Sequence, residues 1–138
     1  MKIETIFCSI ITASYNSEKT IKDTIQSVLN QTFTDFEYII IDGKSTDKTV
    51  EIIKSFENQF KEKRISYRWF SEKDSGIYNA FNKGIVKANG KWVSFLGSDD
   101  TYLNNAIEVY NNEISNLKNK VDFVYSNISL NNKIIASK

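Results

Sequence analysis

Two adjacent carboxylates, Asp99 and Asp100, directly follow an apolar segment at 93–96. Such a pair suits a divalent cation, because Mg²⁺ and Mn²⁺ take oxygen ligands and commonly bind through one or two carboxylates plus substrate phosphates. The chain has no histidine and one cysteine, Cys8, so a zinc site built from imidazoles and thiolates is not expected. The alternative for Asp100 is a cap at the start of a following helix, where carboxylates are also favoured.

Three other polar segments follow strand-like runs, at 12–16, 42–47 and 71–76. In the first, Thr12 and Ser14 could face a ligand, while Asn16 or Ser17 could cap the next helix. In the second, Asp42 could accept hydrogen bonds from a nucleobase or a ribose, or simply begin an Asp-Gly turn. Ser45 or Thr46 is the expected cap of the helix after it. In the third, Asp74 is either a ligand contact or a surface turn residue.

The elements that must position these residues alternate along the chain. Apolar, β-rich segments predict five strands, at 6–12, 36–42, 65–70, 91–96 and 121–126, and amphipathic segments predict four helices, near 21–29, 45–60, 76–88 and 103–114. Asn89–Gly90 is expected to end the third helix in a left-handed conformation. Alternation of this kind predicts an α/β fold of three layers, α/β/α, with a mostly parallel, Rossmann-like sheet. Right-handed crossovers then bring the carboxyl ends of the strands to one edge, where such sheets bind ligands.

Several functional classes are disfavoured. Gly43-Lys44-Ser45 is not the end of a P-loop, since the required earlier glycine falls at Tyr38, and no G-x-G-x-x-G follows the first strand. A receiver domain is a weaker alternative, because its acidic pair should follow the first strand and 12–16 contains no acid. The net charge of +1 gives no reason to expect nucleic acid as a ligand. The N-terminus lacks the pattern of a signal peptide and no run approaches the roughly 20 apolar residues of a membrane span, so a cytoplasmic protein is expected.

Five segments together carry a more specific signal than any one of them. They read S-I-I-T-A-S-Y-N at 9–16, Q-S-V-L-N-Q-T-F at 26–33, I-I-D-G-K-S-T-D at 40–47, S-E-K-D-S-G-I-Y-N-A-F-N-K-G-I at 71–85 and L-G-S-D-D at 96–100. In this order they resemble the motifs of family 2 glycosyltransferases, including that family's variant of the D-x-D motif, over almost the whole chain.

The resemblance implies a GT-A fold, of which residues 1–138 are the donor-binding half, in a metal-dependent and inverting enzyme. The implied ligands are a UDP- or GDP-sugar donor, Mn²⁺ or Mg²⁺, and a saccharide or lipid-linked acceptor in surface polysaccharide synthesis, with peripheral association at the inner face of the membrane. Asp99 and Asp100 are the implied metal ligands. The implied donor-binding residues are Thr12, Ser14, Asn16, Asp42, Asp74, Asn82, Lys83, Ser98 and Asp99.

The chain departs from the family pattern in two places. Ser98 stands where the metal motif often begins with a carboxylate, and Phe81 stands where many members have an arginine. Lys83 is a candidate substitute for that arginine, as a point charge rather than a planar fork. The resemblance places the catalytic base beyond Lys138. A non-catalytic nucleotide-sugar-binding fragment therefore remains the alternative, and the oligomeric state stays open.

Overall fold

The computed structural model describes residues 5–130 and 133–135. Its strands are β1 (Cys8–Ser14), β2 (Phe36–Asp42), β3 (Ser66–Ser71) and β4 (Trp92–Phe95), and its helices are α1 (Ile21–Leu29), α2 (Thr49–Ser55), α3 (Glu57–Glu62), α4 (Ile77–Lys87) and α5 (Ala106–Asn116). A short hairpin of β5 (Ile128–Leu130) and β6 (Lys133–Ile135) follows. The predicted alternation is confirmed, except that the second helix is divided at Phe56 into α2 and α3.

The first four strands form one parallel sheet in the order β3-β2-β1-β4. Ser14 of β1 is in register with Asp42 of β2, and Asp42 with Ser71 of β3, so three strands end at the same level. The strand order reverses between β1 and β4. The reversal arises because β2 and β3 were added on one side of β1 and β4 on the other, and open α/β sheets bind their ligands at such a point.

Helices cover both faces of the sheet, as the prediction of three layers requires. On one face, Ile10, Tyr38 and Ile40 pack in a cluster with residues of α1, α2, α3 and α5. On the other face, Ile11, Ile39 and Ile41 pack with Ala80 of α4. The alternation of neighbouring residues between the two clusters follows from the two-residue repeat of a strand, and β1 and β2 are buried along their whole length.

A buried carboxylate ties the amino ends of the strands together. Glu37, only 1% exposed, accepts hydrogen bonds from Ser9 Oγ at 2.7 Å, from the Asn89 backbone at 2.6 Å and from Arg68 Nη2 at 2.8 Å. Burial would raise the pKa of this carboxyl, but the hydrogen bonds outweigh it and hold the pKa below its usual range. The charged network joins β1, β2, β3 and the segment after α4, at the edge opposite the polar strand ends.

Two sequence-based predictions about local structure are wrong. Residues 121–126 are not a strand; Phe123 and Tyr125 are 80% and 63% exposed, and no described strand offers these residues a partner edge. An alternating pattern without a partner leaves the backbone groups to water, so it forms no ladder. Asn89–Gly90 is not a left-handed stop either. Helix α4 ends because Ala88 turns extended, at φ −75° and ψ 138°.

The helix starts also differ from the predicted caps. No side chain caps α1; instead the Ser17 carbonyl accepts hydrogen bonds from the backbone of Thr20 and Ile21. At the start of α2, the backbone N–H of Thr49 donates a hydrogen bond to the carboxylate of Asp47 at 2.9 Å, and not to the side chain of Ser45 or Thr46. Within the described part of the chain, no helix combines the length and the apolar character that crossing a membrane requires.

Candidate functional site

The reversal of strand order creates a crevice at the carboxyl edge, between the segments that follow β1 and β4. The hydroxyl groups of Ser17 and Ser98 are 2.8 Å apart and bridge this crevice. A cavity lies on each side of the bridge, and Ser98 lines both. The crevice therefore holds two adjoining spaces that share one polar residue.

The first space, the β2-side cavity, has a volume of about 510 Å³. Its lining combines small, apolar and charged residues from the ends of β1, β2 and β3 and the start of α4: Ala13, Ser14, Tyr15, Gly43, Lys73, Asp74, Gly76, Ile77, Ala80 and Ser98. The second, the α1-side cavity, has a volume of about 460 Å³ and is lined by Asn16, Ser17, Glu18, Lys19, Thr20, Asp47, Ser98 and Asp99. The volumes lie within the roughly 300–1,000 Å³ of small-molecule sites.

Asp42 organises the strand ends from behind the β2-side cavity. Its side chain is fully buried, and it accepts hydrogen bonds from the hydroxyls of Ser14 at 3.1 Å and Ser71 at 2.7 Å. The backbone and the hydroxyl of Ser45 donate two more. Both carboxylate oxygens are thus occupied by protein donors from three successive strand ends. Asp42 itself does not line the cavity, but it is hydrogen-bonded to Ser14, which does.

The loop after β1 is held against the loop after β2 by Asn16. This residue adopts a left-handed conformation with φ 47°, which asparagine tolerates better than most residues. Its backbone N–H donates to Ser45 Oγ at 2.9 Å, and its Oδ1 accepts from the backbone of Thr46 at 2.9 Å. The chain from Asp42 through Ser45 to Asn16 is therefore one continuous network.

Asp47 makes a second connection between the same loops. One of its oxygens accepts the Thr49 N–H at 2.9 Å, and the other accepts the Glu18 N–H at 3.1 Å. Desolvation acts to raise the pKa of Asp47, but these hydrogen bonds hold the pKa below its usual value. The carboxylate remains charged near neutral pH and adds negative potential to the α1-side cavity.

The loop at 72–76 closes the β2-side cavity from the direction of β3. Asp74 Oδ1 accepts the Gly76 N–H at 2.9 Å, and Gly76 has φ 119°, a conformation that L-residues rarely adopt. A Cβ on Gly43 would lie only 3.0 Å from Asp74 Oδ2, so glycine at this position permits the close approach. Lys83 Nζ supports the loop by donating to the Lys73 carbonyl at 3.1 Å, and it pairs with Glu72 at 3.3 Å.

Asp99 and Asp100 turn their carboxylates toward the same small space. A Cβ on Gly97 would lie 3.0 Å from Asp99 Oδ1 and 2.8 Å from Asp100 Oδ2, so both oxygens flank the position that glycine leaves free. Both residues are exposed, and neither carboxylate accepts a hydrogen bond from any residue in 5–130. A Mg²⁺ or Mn²⁺ site commonly combines one or two protein carboxylates with substrate phosphates, and these two carboxylates fit that role. No group of three or more potential metal ligands occurs among the described residues.

The structure thus gathers most of the predicted site residues at the crevice. Ser14, Asp74 and Ser98 line the β2-side cavity, and Asn16, Ser98 and Asp99 line the α1-side cavity. The alternative reading of Asp100 as a helix cap is wrong, since α5 begins at Ala106 and its N-cap position is Asn105.

Four predicted donor-binding residues line neither cavity, and Asp42, described above, is one of them. Thr12 is fully buried and its hydroxyl is hydrogen-bonded to Tyr38 Oη at 3.0 Å inside the sheet, so it lines neither cavity. Position along the strand explains the difference, because Ser14 is the last residue of β1 and reaches the carboxyl edge, whereas Thr12 lies two residues before it. Lys83 is engaged with the 72–76 loop, and Asn82 is exposed on α4 outside both cavities.

Sequence reasoning assigned no ligand-binding role to several lining residues, chiefly Tyr15, Ser17, Asp47 and Lys73. All of them lie within a few residues of a strand end. Position directly after a parallel strand was therefore a usable signal for each of them, although residue type alone was not.

Comparison with known proteins agrees with the geometry. Residues 9–133 match the family model described as Glycosyl transferase family 2. The chain is 37% identical over 131 residues to the Escherichia coli UDP-Glc:alpha-D-GlcNAc-diphosphoundecaprenol beta-1,3-glucosyltransferase WfgD, covering 94% of this chain and 49% of WfgD.

Two solved structures have a similar fold. Staphylococcus aureus TarS 1–349 in complex with UDP-GlcNAc matches with a TM-score of 0.72 and 26% identity, covering 79% of this chain and 31% of TarS. The mannosyltransferase PcManGT from Pyrobaculum calidifontis, in complex with GDP-Man and Mn²⁺, matches in fold alone, with a TM-score of 0.63 and 19% identity, covering 69% of this chain and 28% of PcManGT. The chain spans less than half the length of each of these three relatives.

Proposed function

The chain belongs to glycosyl transferase family 2, and on that basis we propose that it binds a nucleotide-diphospho-sugar, the donor of a glycosyl transfer to an acceptor hydroxyl. The observation that carries the proposal is the pair of cavities on either side of the Ser17–Ser98 bridge. They lie at the carboxyl edge and at the strand reversal, the place where open α/β sheets bind their ligands.

In this proposal the β2-side cavity receives the nucleoside. Tyr15 is 63% exposed and offers an aromatic surface beside the polar groups of Ser14 and Asp74. Asp42 acts as a positioning residue, since its buried carboxylate orients the Ser14 hydroxyl and the loop that begins at Gly43. A rigid, hydrogen-bonded frame of this kind lowers the entropic cost of ordering the site on binding.

The diphosphate lies next to Ser98, where the two cavities meet, and the sugar lies toward Asp99. Asp99 and Asp100 hold a divalent cation, Mn²⁺ or Mg²⁺. When bound, that cation supplies positive charge to the nucleoside diphosphate as it departs. The PcManGT complex, which contains GDP-Man and Mn²⁺, supports the choice of metal by analogy of fold.

The protein's own contribution to transfer is binding and orientation. The Ser17–Ser98 bridge and the Asp42 network hold the loops after β1, β2 and β4 in one arrangement. The donor is thereby held in place before an acceptor arrives. Holding a reactant in position removes the part of the activation barrier that comes from lost translational and rotational entropy. We assign no general base, because Asp42 and Asp47 are engaged by protein donors and Asp99 and Asp100 are assigned to the cation.

The acceptor follows from analogy with relatives. The name of WfgD specifies a diphosphoundecaprenol-linked acceptor, so we propose a saccharide or lipid-linked acceptor, an inverting transfer and action at the inner membrane face in surface polysaccharide synthesis. A second candidate function is donor binding without transfer, which agrees with the assignment of no general base among the described residues.

Titration calorimetry with UDP-sugars and GDP-sugars, each with and without Mn²⁺, tests donor binding. We expect one nucleotide class to bind, and to bind more tightly with Mn²⁺. Absence of binding to every nucleotide would overturn the proposal. Incubation of the chain with the bound donor and a lipid-linked acceptor then separates the two candidates, since sugar transfer by this chain alone excludes the purely binding function.

A further inference from the structure

We propose that Lys73 supplies the side-chain cation that contacts the donor's diphosphate from the β2-side cavity. This inference rests on the proposed function, because it concerns the same donor. It assigns a role to a residue to which neither the motif resemblance nor the expected metal site gives one.

A side-chain contact with a diphosphate requires a positive charge that can reach the cavity. Phe81 of α4 stands where many family members have an arginine, and Lys83 is the candidate substitute for it. Phe81 packs against Phe95, with ring centroids 4.6 Å apart, and carries no charge. Lys83 is already paired with Glu72 and hydrogen-bonded to the Lys73 carbonyl. Neither residue lines the cavity.

Lys73 meets the requirements that these two residues do not. It lines the β2-side cavity, its side chain is exposed, and within residues 5–130 its ammonium forms no ion pair. A lysine side chain is long and flexible, so its ammonium can follow a phosphate over several ångströms. Its backbone, by contrast, is fixed by the bond from Lys83, which gives the flexible side chain a defined origin.

The charges of the two cavities support the same assignment. The α1-side cavity is lined by three carboxylates, those of Glu18, Asp47 and Asp99, against the single ammonium of Lys19. A diphosphate is repelled there except beside a bound cation. In the β2-side cavity the charged lining residues are Lys73 and Asp74, and Asp74 already accepts the Gly76 N–H. The diphosphate is therefore best accommodated between Lys73 and Ser98, with its other oxygens toward Asp99 and Asp100.

A ladder of ligands tests the assignment, namely a nucleoside, its monophosphate and its diphosphate, measured by calorimetry in the presence of EDTA. For Lys73→Met we expect unchanged affinity for the nucleoside and an affinity for the diphosphate about 10-fold lower, as for loss of a partly exposed charged hydrogen bond. Lys73→Arg should retain most of the diphosphate affinity. Lys44→Met is the matched control, because Lys44 is exposed in the neighbouring loop and lines neither cavity.

Lys83→Met distinguishes a residue that positions the 72–76 loop from a residue that contacts the ligand. Since Lys83 supports the 72–76 loop, its removal should lower the affinity for all three ligands by a similar factor and lower the melting temperature, whereas Lys73→Met should leave the melting temperature unchanged. Diphosphate binding that is undiminished in Lys73→Met, or nucleoside binding that falls equally, would overturn the role of Lys73 alone. A wild-type chain that binds no nucleotide diphosphate, with or without Mn²⁺, would overturn both this inference and the proposed function.

Discussion

The hydroxyl groups of Ser17 and Ser98 lie 2.8 Å apart, although 81 residues separate them in the chain. Ser17 belongs to the loop after β1 and Ser98 to the loop after β4, so the bond spans the reversal of strand order. It divides the crevice into two cavities and holds their common wall in place. Ser98, which stands where the family motif often has a carboxylate, thus forms a hydrogen bond that joins two loops of this chain.

Ser98→Ala should weaken the link between the two loops. We expect a loss of about 1 kcal/mol in the free energy of unfolding, as for one hydrogen bond, together with weaker nucleotide binding. Ser17→Ala removes the same bond and also the one that Ser17 Oγ donates to the Tyr15 carbonyl at 3.2 Å, so the double variant should lose little more than Ser17→Ala alone. Chemical denaturation measures the effect, with Ser66→Ala at the exposed start of β3 as control. Fully additive losses would show that the two serines act independently.

Asp42→Asn should destabilise the carboxyl edge of the sheet. An amide offers one oxygen, so at least one of the donors from Ser14, Ser45 and Ser71 loses its buried acceptor. We expect a loss of about 2 kcal/mol in unfolding free energy. Because Asp42 acts through Ser14, nucleoside affinity should fall as well. Thermal denaturation and calorimetry check the two effects, and Asp23→Asn on the exposed surface of α1 is the control. Unchanged stability would contradict the role of Asp42 as organiser.

Asp99→Asn and Asp100→Asn should affect the metal-dependent part of binding. Each variant removes one of two anionic ligands, so we expect the gain in nucleotide affinity on adding Mn²⁺ to fall by about 10-fold. Affinity in EDTA should change little. The comparison uses calorimetry with and without Mn²⁺, and Asp122→Asn, at a surface position, serves as control. A gain from Mn²⁺ that survives in the double variant would place the cation elsewhere.

Gly84→Ala should destabilise the chain although alanine is the better helix former. Alanine gains about 1 kcal/mol in helix propensity. Its Cβ, however, would lie 2.4 Å from Cγ2 of Ile11, a fully buried residue of β1 whose branched side chain cannot turn aside. We expect a net loss of about 1–3 kcal/mol from overpacking. Val86→Ala, on the exposed side of the same helix, is the control, and a melting temperature equal to the wild type would contradict the close contact of α4 with β1.

Glu37 should make the stability of the chain sensitive to acid. Its pKa in the folded state lies below the ordinary value of 4.5, so the folded form favours the ionised carboxylate. The contribution is therefore complete above the ordinary value and is lost as pH falls through the lowered one. Glu37→Gln should be less stable at neutral pH and should lose less on acidification. Urea denaturation at neutral pH and at about pH 3 gives the free energy of unfolding of both proteins at each pH, and so the stability that each loses on acidification. Parallel losses in the two proteins would exclude this group as a source of acid sensitivity.

Much of the fold was predictable because its signals are local and repeated. Strand β2 and helix α1 match the predicted ranges, 36–42 and 21–29, since both carry uninterrupted apolar patterns that end in polar residues. The failure at 121–126 has the opposite cause. Alternation there satisfies the strand pattern, but a strand also needs a neighbouring edge, and a local pattern contains no information about partners.

The candidate site was predictable in type but not in detail. Parallel topology alone placed Ser14, Asp74 and Asp99 at one edge. Thr12 and Lys83 illustrate this. The hydroxyl of Thr12 lies in the core, whereas that of Ser14, two residues further along β1, lies at the edge. The ammonium of Lys83 is already paired with Glu72. Which polar groups are already paired inside the protein is a property of contacts, and motif position does not report it.

The sequence by itself determined the class of fold, the edge at which the polar strand ends gather and the family, because each depends on periodicity and on the order of motifs. The tertiary structure decided how the site is divided and which side chains are available in it. The Ser17–Ser98 bridge and the enclosed carboxylate of Asp42 both arise from residues distant in the chain. Hydrogen bonds act over about 3 Å, and only the folded chain brings such groups within that distance.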